Sequence, residues 1–212
     1  MWSNGIIRVP IAFHMKDPVK ETHIDAALFL LSWIRNKLKY KPMYVLFDAG
    51  FASKRLLKRI DDYGWIFICR IPKTRRFNGI QIRRYKKQGF WNDCGVLWCG
   101  VKVRAVRRAD KFYICNRFNW SAKTIENCYK QRAVIEEVFR LLKGVCHWKR
   151  CQFHKQERYE RFLAVGIVSF MCWEFNRINH PDPITIYELR RNVMFDDFEF
   201  CIPDLKEVSL CA

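Results

Sequence analysis

Met43-Tyr44-Val45-Leu46-Phe47-Asp48-Ala49-Gly50-Phe51 is the stretch on which the fold turns. It is a compact apolar run after Pro42 that stops at an acid and a glycine, the pattern of a buried strand running into a turn. Working outward, Ser53 to Asp61 has helical spacing, and Trp65 to Cys69 reads as another buried strand. Upstream, Thr22 is placed to cap a helix to about Lys39, with Ile24, Ala27, Leu28, Leu31 and Ile34 on one face. Gly5 to Phe13 is short and β-branched, a strand in which Pro10 marks an edge or a bulge. Strand, helix, strand, helix, strand is the order of an α/β layer with parallel strands.

Beyond Pro72 the texture changes. To about Trp120 the chain is dense in Arg, Lys, Gly and aromatics, and Gly95 to Cys99 and Lys102 to Val106 alternate like hairpin strands. Helical spacing returns from Ser121 to about Lys143 and from Gln156 to Phe175. The tail after His180-Pro181-Asp182-Pro183 is partly acidic (Asp196, Asp197, Glu199) and says little. The expected divisions are a first part of the core at 1–71, a β-rich basic insertion at 72–120, a helical remainder at 121–178 and a tail at 179–212.

The 212 residues include 39 Lys plus Arg against 21 Asp plus Glu, a net charge of +18. Half the chain is apolar, which excludes disorder as its default state. The charge points to a polyanion, nucleic acid before an anionic membrane surface. The longest apolar run, Phe162 to Trp173, is interrupted by Gly166 and Ser169 and is too short to span a bilayer. Met1 to Gly5 does not begin a signal peptide, so the 10 Cys read as reduced thiols of a cytosol.

Chemistry concentrates in Tyr129 to Lys143. On a single helix, at about 100° per residue, Tyr129, Arg132, Glu136 and Lys143 share one side, while Val134, Ile135, Val138, Leu141 and Leu142 spread over the other. An Arg and a Lys flanking a carboxylate could grip phosphates beside a carboxylate-bound metal. A solvated charged face has the same appearance. Glu137 reads as a solvated neighbour of Glu136. Asp48, at the carboxyl end of a buried strand, is where open α/β sheets place ligands, with Gly50 allowing a sharp turn. An Asp that starts a turn or caps the next helix would look alike.

Tyr129-x2-Arg132-x3-Glu136-x6-Lys143 is similar to the YREK signature of DDE transposases from bacterial insertion sequences. Asp48-Ala49-Gly50-Phe51 resembles the motif around the second catalytic aspartate of that family. The change of texture at 72–120, before the Glu-bearing helix, resembles its β-rich insertion, and the likeness extends to about residue 176. It implies an RNase H-like mixed sheet flanked by helices, and DNA cleavage and strand transfer by a two-metal mechanism. Asp48 and Glu136 are then Mg²⁺ ligands, for two ions in the complete site. Arg132 and Lys143 contact DNA phosphates and Tyr129 positions the strand. The partners implied are double-stranded DNA (transposon ends and target) and a second copy or a full-length transposase. The place implied is the bacterial cytoplasm, at the nucleoid.

The family's first aspartate belongs upstream of the strand at 5–13, about where this chain begins. Asp17 follows the wrong strand, and Asp25 sits inside a helix. The expectation is therefore an amino-terminally truncated transposase, inactive alone, or a DNA-binding remnant that interferes with a complete enzyme. A basic RNA-binding α/β protein is a third reading. Lys73, Arg75, Arg76, Arg83, Arg84, Lys86, Lys87, Arg104, Arg107, Arg108 and Lys111 interleave with Phe77, Tyr85, Phe90, Trp91 and Trp98. Cations beside aromatics suit nucleic acid, and the same alternation suits a solvated hairpin face. Cys146, His147, Cys151 and His154 lack the second close pair of a structural zinc site.

Overall fold

The computed structural model describes residues 1–3, 8–17, 19–85, 91–108 and 110–195. The chain divides into two units, Met1–Val138 and Phe139–Ala212. In the first, strands β1 (Trp2–Ser3) and β2 (Arg8–Val9) form a small antiparallel pair. Helix α1 (His23–Asn36), strand β3 (Val45–Phe47), helix α2 (Lys54–Asp62) and strand β4 (Phe67–Arg70) follow. Strands β5 (Arg76–Phe77), β6 (Ile80–Gln81), β7 (Trp91–Val96), β8 (Lys102–Arg108) and β9 (Lys111–Cys115) precede helix α3 (Ala122–Lys130). The main sheet has the order β3-β4-β9-β8-β7.

Each helix of the β3-α2-β4 crossover region has an identifiable start. Thr22 and Asp25 close a capping box on α1, and Ser53 accepts from Leu56 N–H at the head of α2. Leu56, Leu57 and Ile60 of α2 are buried, so its stripe packs on the sheet while Lys54, Arg55, Lys58 and Arg59 face out. Residues of the sheet alternate between two cores. Val45, Phe47, Phe67, Cys69, Phe112 and Ile114 pack with α1 and α2 on one face. Leu46, Ile68, Tyr113, Cys115 and Val106 pack with Ala122, Ile125 and Tyr129 of α3 on the other. Residues Phe67, Ile68 and Cys69 of β4 are fully buried, and apolar burial of such side chains stabilises by about 1.5–3 kcal/mol each. The result is a mixed α/β fold, a mixed sheet flanked by helices.

The sheet is mixed, as expected: β3 and β4 are parallel, and β9, β8 and β7 join antiparallel. Several other expectations need correction. The strand expected at Gly5–Phe13 falls partly outside the described residues, and within them its regular part is Arg8–Val9, which ends at Pro10 and pairs with β1. Proline has no N–H for a ladder. At the head of β3, Met43 is exposed and the strand starts only at Val45, because β3 is the edge of the sheet. Lys86, Lys87 and Phe90 lie outside the described residues, as do Asp196, Asp197 and Glu199.

The helix expected at Ser121–Lys143 is two helices, α3 and α4 (Ala133–Gly144). Between them the backbone tightens to three-residue bonds: Gln131 N–H donates to Cys128 O, Arg132 to Tyr129 O, Val134 to Gln131 O and Ile135 to Arg132 O. The Tyr44 hydroxyl donates to Gln131 Oε1 across the chain at this point. Tyr129 is consequently not on an outward polar stripe with Lys143. It is buried against Tyr113, with ring centroids 5.0 Å apart.

The second unit holds α5 (Gln156–Asn179), four residues longer than expected at its carboxyl end, and α6 (Ile186–Phe195) in what reads as an uninformative tail. A second capping box starts α6: the Thr185 hydroxyl and N–H both donate to Glu188, whose own N–H donates back to Thr185 Oγ1. Among the described residues, no helix is long and apolar enough to cross a membrane. Gly166 of α5 is where Trp148 packs. A Cβ there would stand 2.0 Å from the indole Nε1, which is itself buried without a hydrogen-bond partner. Gly166→Ala should therefore destabilise the protein by about 1–3 kcal/mol through overpacking, read as a lower urea midpoint with a changed tryptophan emission. An unchanged midpoint would mean that Trp148 can leave the helix without cost.

Candidate active site

Asp48 follows the last residue of β3 and opens a tight turn, Phe51 N–H donating to its backbone oxygen at 3.0 Å. Its side chain caps nothing, because Ser53 caps α2 instead. The carboxylate is thus free for long-range partners, and two reach it from the α3–α4 junction. The Tyr129 hydroxyl points at Oδ1 from 3.5 Å, a long hydrogen bond, and Arg132 Nη2 lies 3.6 Å from Oδ2. The same guanidinium, through Nη1, binds Glu136 Oε1 at 2.5 Å. One arginine therefore holds both of the carboxylates that the sequence singles out.

The turn is supported from behind. His23, the first residue of α1, meets the Gly50 carbonyl oxygen at 3.2 Å through Nε2 and packs edge-on against the Phe51 ring. Gly50 itself is in an ordinary backbone conformation, and a Cβ on it would meet nothing within 4 Å. The expected sharp turn is made without glycine's freedom. Beneath Asp48, burial pushes the Cys69 thiol well above its usual value, and nearby negative charge including that of Asp48 adds to this. Cys69 is inert there.

Electrostatics assign the two partners of Asp48 different parts. Burial pushes the Tyr129 phenol up to about 12, with the Asp48 carboxylate adding to the rise against Arg132. Tyr129 stays a neutral donor over all physiological pH. For Arg132, burial works against the charge, but the Glu136 hydrogen bond and Asp48 outweigh it and raise the guanidinium above its ordinary value. Arg132 is a permanent, partly buried cation between two acids.

Other acids have structural work. Glu137 is partly solvated, with 45% of its side chain exposed, and it is also ion-paired: its Oε1 lies 3.0 Å from Nη1 of the buried Arg8 in β2. Spacing alone does not separate Glu136 from Glu137, and no signal in the sequence announces the pairing of Glu137 with Arg8. Asp17 accepts from the N–H groups of Val19 and Lys20, and Asp25 is held by Thr22 and Arg55. The Thr22 hydroxyl, before Arg55, takes the Asp25 carboxyl down to about 2. Lys143 lies in the last turn of α4, in the second unit. Among the described residues no three His, Cys, Asp or Glu side chains gather as a metal cluster, and every cysteine is free.

Two hard carboxylates that are both partly exposed, 46% for Asp48 and 65% for Glu136, suit a divalent ion that keeps water and phosphate among its ligands. The family model described as "Transposase DDE domain" matches residues 6–172. The chain belongs to that family, its fold is the RNase H-like one, and its function is of the transposase type. No curated protein matches it.

A raised phenol is lost to the fold as pH rises. Tyr129 in the unfolded chain ionises near 10.0 and in the native protein near 12, so its contribution is whole below pH 10 and disappears between pH 10 and 12. Tyr129→Phe should flatten the stability loss over that window, as followed by urea unfolding at fixed pH. An identical pH profile in the variant would place the Tyr129 hydroxyl in water rather than beside Asp48.

Proposed function

We propose that this chain is a DNA-cleaving and strand-transferring core whose Asp48 and Glu136 are the carboxylates of an Mg²⁺ site. The observation that carries the reading is the sharing of Arg132, whose one guanidinium contacts both acids. Bound Mg²⁺ supplies Lewis-acid stabilisation of the nucleophile and of the leaving oxygen in an in-line displacement, with two ions in the complete site. The protein's own groups prepare that step. Tyr129 keeps its proton and holds one oxygen of Asp48 in place. Arg132, always charged, trades carboxylate for phosphate when a DNA strand arrives, since a guanidinium fits either in the same planar fork. Lys143 adds a point charge for a neighbouring phosphate. The Arg8–Glu137 pair fixes the register of α4, so that Glu136 faces the site.

Double-stranded DNA, as transposon ends and target, is the substrate, and a second copy or a complete transposase is the protein partner. The site of action is the nucleoid in a bacterial cytoplasm. A second reading is favoured by one specific feature. Arg132 already neutralises both acids, which suits a protein that binds DNA and obstructs a complete enzyme without cutting.

Metal binding separates the metal site from an ordinary salt-bridge cluster. Isothermal titration with Mn²⁺, used in place of Mg²⁺ for its tighter binding, should give one saturable event in the wild type. Asp48→Asn combined with Glu136→Gln should abolish it, and equal affinities in the two proteins would remove both residues from the site. Arg132→Ala should tighten Mn²⁺ binding by roughly fivefold or more, because the competing cation is gone. Nicking of supercoiled plasmid by the wild type in Mn²⁺ then separates the two readings: cleavage favours the first, and binding without cleavage the second.

A further inference from the structure

The carbonyl oxygens of the turn that carries Asp48 can be followed one by one. Between β3 and α2 the chain makes a single three-residue turn, Ala49–Phe51. Asp48 O accepts from Phe51 N–H at 3.0 Å, Ala49 O from Ala52 N–H at 3.1 Å and Phe51 O from Ser53 N–H at 2.7 Å. Gly50 O differs: its partner comes from α1, 27 residues away along the chain. His23 Nε2 lies 3.2 Å from it, and because a carbonyl only accepts, that nitrogen carries the proton. The His23 ring also stands edge-on to Phe51, with centroids 5.2 Å apart and planes at 89°. Phe51 in turn packs on the core that α1 and α2 cover.

His23 is itself held. It is the first residue of α1, directly after Thr22, whose capping box with Asp25 fixes the opening turn of that helix. Asp25 Oδ1 pairs at 2.8 Å with Nη1 of Arg55, in the first turn of α2. The head of α1 is therefore tied to the Asp48 turn through His23 and to the start of α2 through Asp25. His23 is exposed, so its loss gives up little buried surface. What its bond fixes is direction. A turn bonded only to itself can hinge where it joins the strand and the helix, and a bond from α1 to its middle carbonyl removes that freedom. The Asp48 side chain cannot supply the same restraint, because its contacts with Tyr129 and Arg132 are long, at 3.5 Å and 3.6 Å.

We propose that His23 is a positioning residue for Asp48. By donating to Gly50 O it sets where the carboxylate stands, and so how tightly the Asp48–Glu136 pair takes a divalent ion. The affinity effect rests on the reading of that pair as a metal site; the hold on the turn does not.

Two substitutions in the whole chain separate the N–H from the ring. His23→Phe keeps a ring against Phe51 and removes the donor, whereas His23→Gln keeps an N–H at about the same reach and removes the ring. Amide exchange, followed by NMR on metal-free protein, reads the turn. The Phe51 and Ala52 N–H groups should exchange roughly fivefold or more faster in His23→Phe and near the wild-type rate in His23→Gln, with Leu57 and Ile60 of α2 unchanged in both. Isothermal titration with Mn²⁺ reads the site. Affinity should fall roughly tenfold in His23→Phe, the low end for a group behind a metal ligand, and stay within about twofold of wild type in His23→Gln. Urea midpoints should match the wild type in both. Equal losses in the two variants, or losses that follow a lowered midpoint, would make His23 an ordinary packing residue and overturn the proposal. So would unchanged amide exchange in His23→Phe, or faster exchange with Mn²⁺ affinity unchanged. A wild type that takes no Mn²⁺ removes the metal reading and the affinity effect together. Faster exchange restored by glutamine would then still establish His23 as the residue that holds the Asp48 turn, and unchanged exchange would overturn that as well.

Discussion

The parallel pairing of β3 and β4 is the constraint on which the rest of the structure depends. Val45, Leu46 and Phe47 lie opposite Phe67, Ile68 and Cys69, and this register sends alternate side chains into two different cores. A slip of β3 by one residue against β4 would turn Phe47 towards α3 and Leu46 towards α1 and α2, while Ile68 and Cys69 kept their places. It would also turn the Asp48 carboxylate away from the face that α3 covers. The crossover through α2 enforces the pairing, since Leu56, Leu57 and Ile60 leave that helix only one apolar face to bury. The acid stands where it does because the strand before it has nowhere else to go.

A second constraint meets the first at the α3–α4 junction. If residues 121–143 formed one uninterrupted helix, Arg132 would keep the orientation dictated by a regular turn. Tyr129 packs against Tyr113 on the buried stripe of α3 with Ala122 and Ile125, and the tightened turn that follows carries Arg132 to Asp48. Burying most of a tyrosine ring is worth more than the geometric quality of a few backbone bonds in one turn. Packing therefore wins over helical regularity, and the junction that results brings a neutral donor and a fixed cation to the same carboxylate.

The sequence was most legible where local chemistry and the tertiary structure agree. Thr22 with Asp25, Ser53, and the apolar stripe from Ile24 to Ile34 fix α1 and α2 before any long-range contact is known. Strand ends were less legible, because exposure of Met43 depends on β3 being an edge, and that is decided by distant β9. The break at Gln131-Arg132 has no glycine or proline to announce it. Glu136 and Glu137 are adjacent and chemically alike, and only the position of Arg8 separates them. The start of α6 was readable in Thr185-x-x-Glu188, a capping box standing behind two prolines that drew attention to the turn instead.

The strength of the Arg132 contacts bears on what the site can do. The pair with Glu136 is an i, i+4 contact whose carboxylate is mostly exposed, and such pairs contribute about 0.3–0.5 kcal/mol. The contact with Asp48 is longer, at 3.6 Å, and lacks the geometry of a short charge-assisted bond. Neither contact alone is a strong barrier to exchange. What keeps Arg132 in place is its partial burial, 24% exposed, which makes it costly to leave the guanidinium without any anion. An incoming phosphate removes that cost by supplying an anion of its own. On the proposed reading, the two carboxylates would then be open to a divalent ion, and phosphate binding and metal binding would favour each other by the same factor.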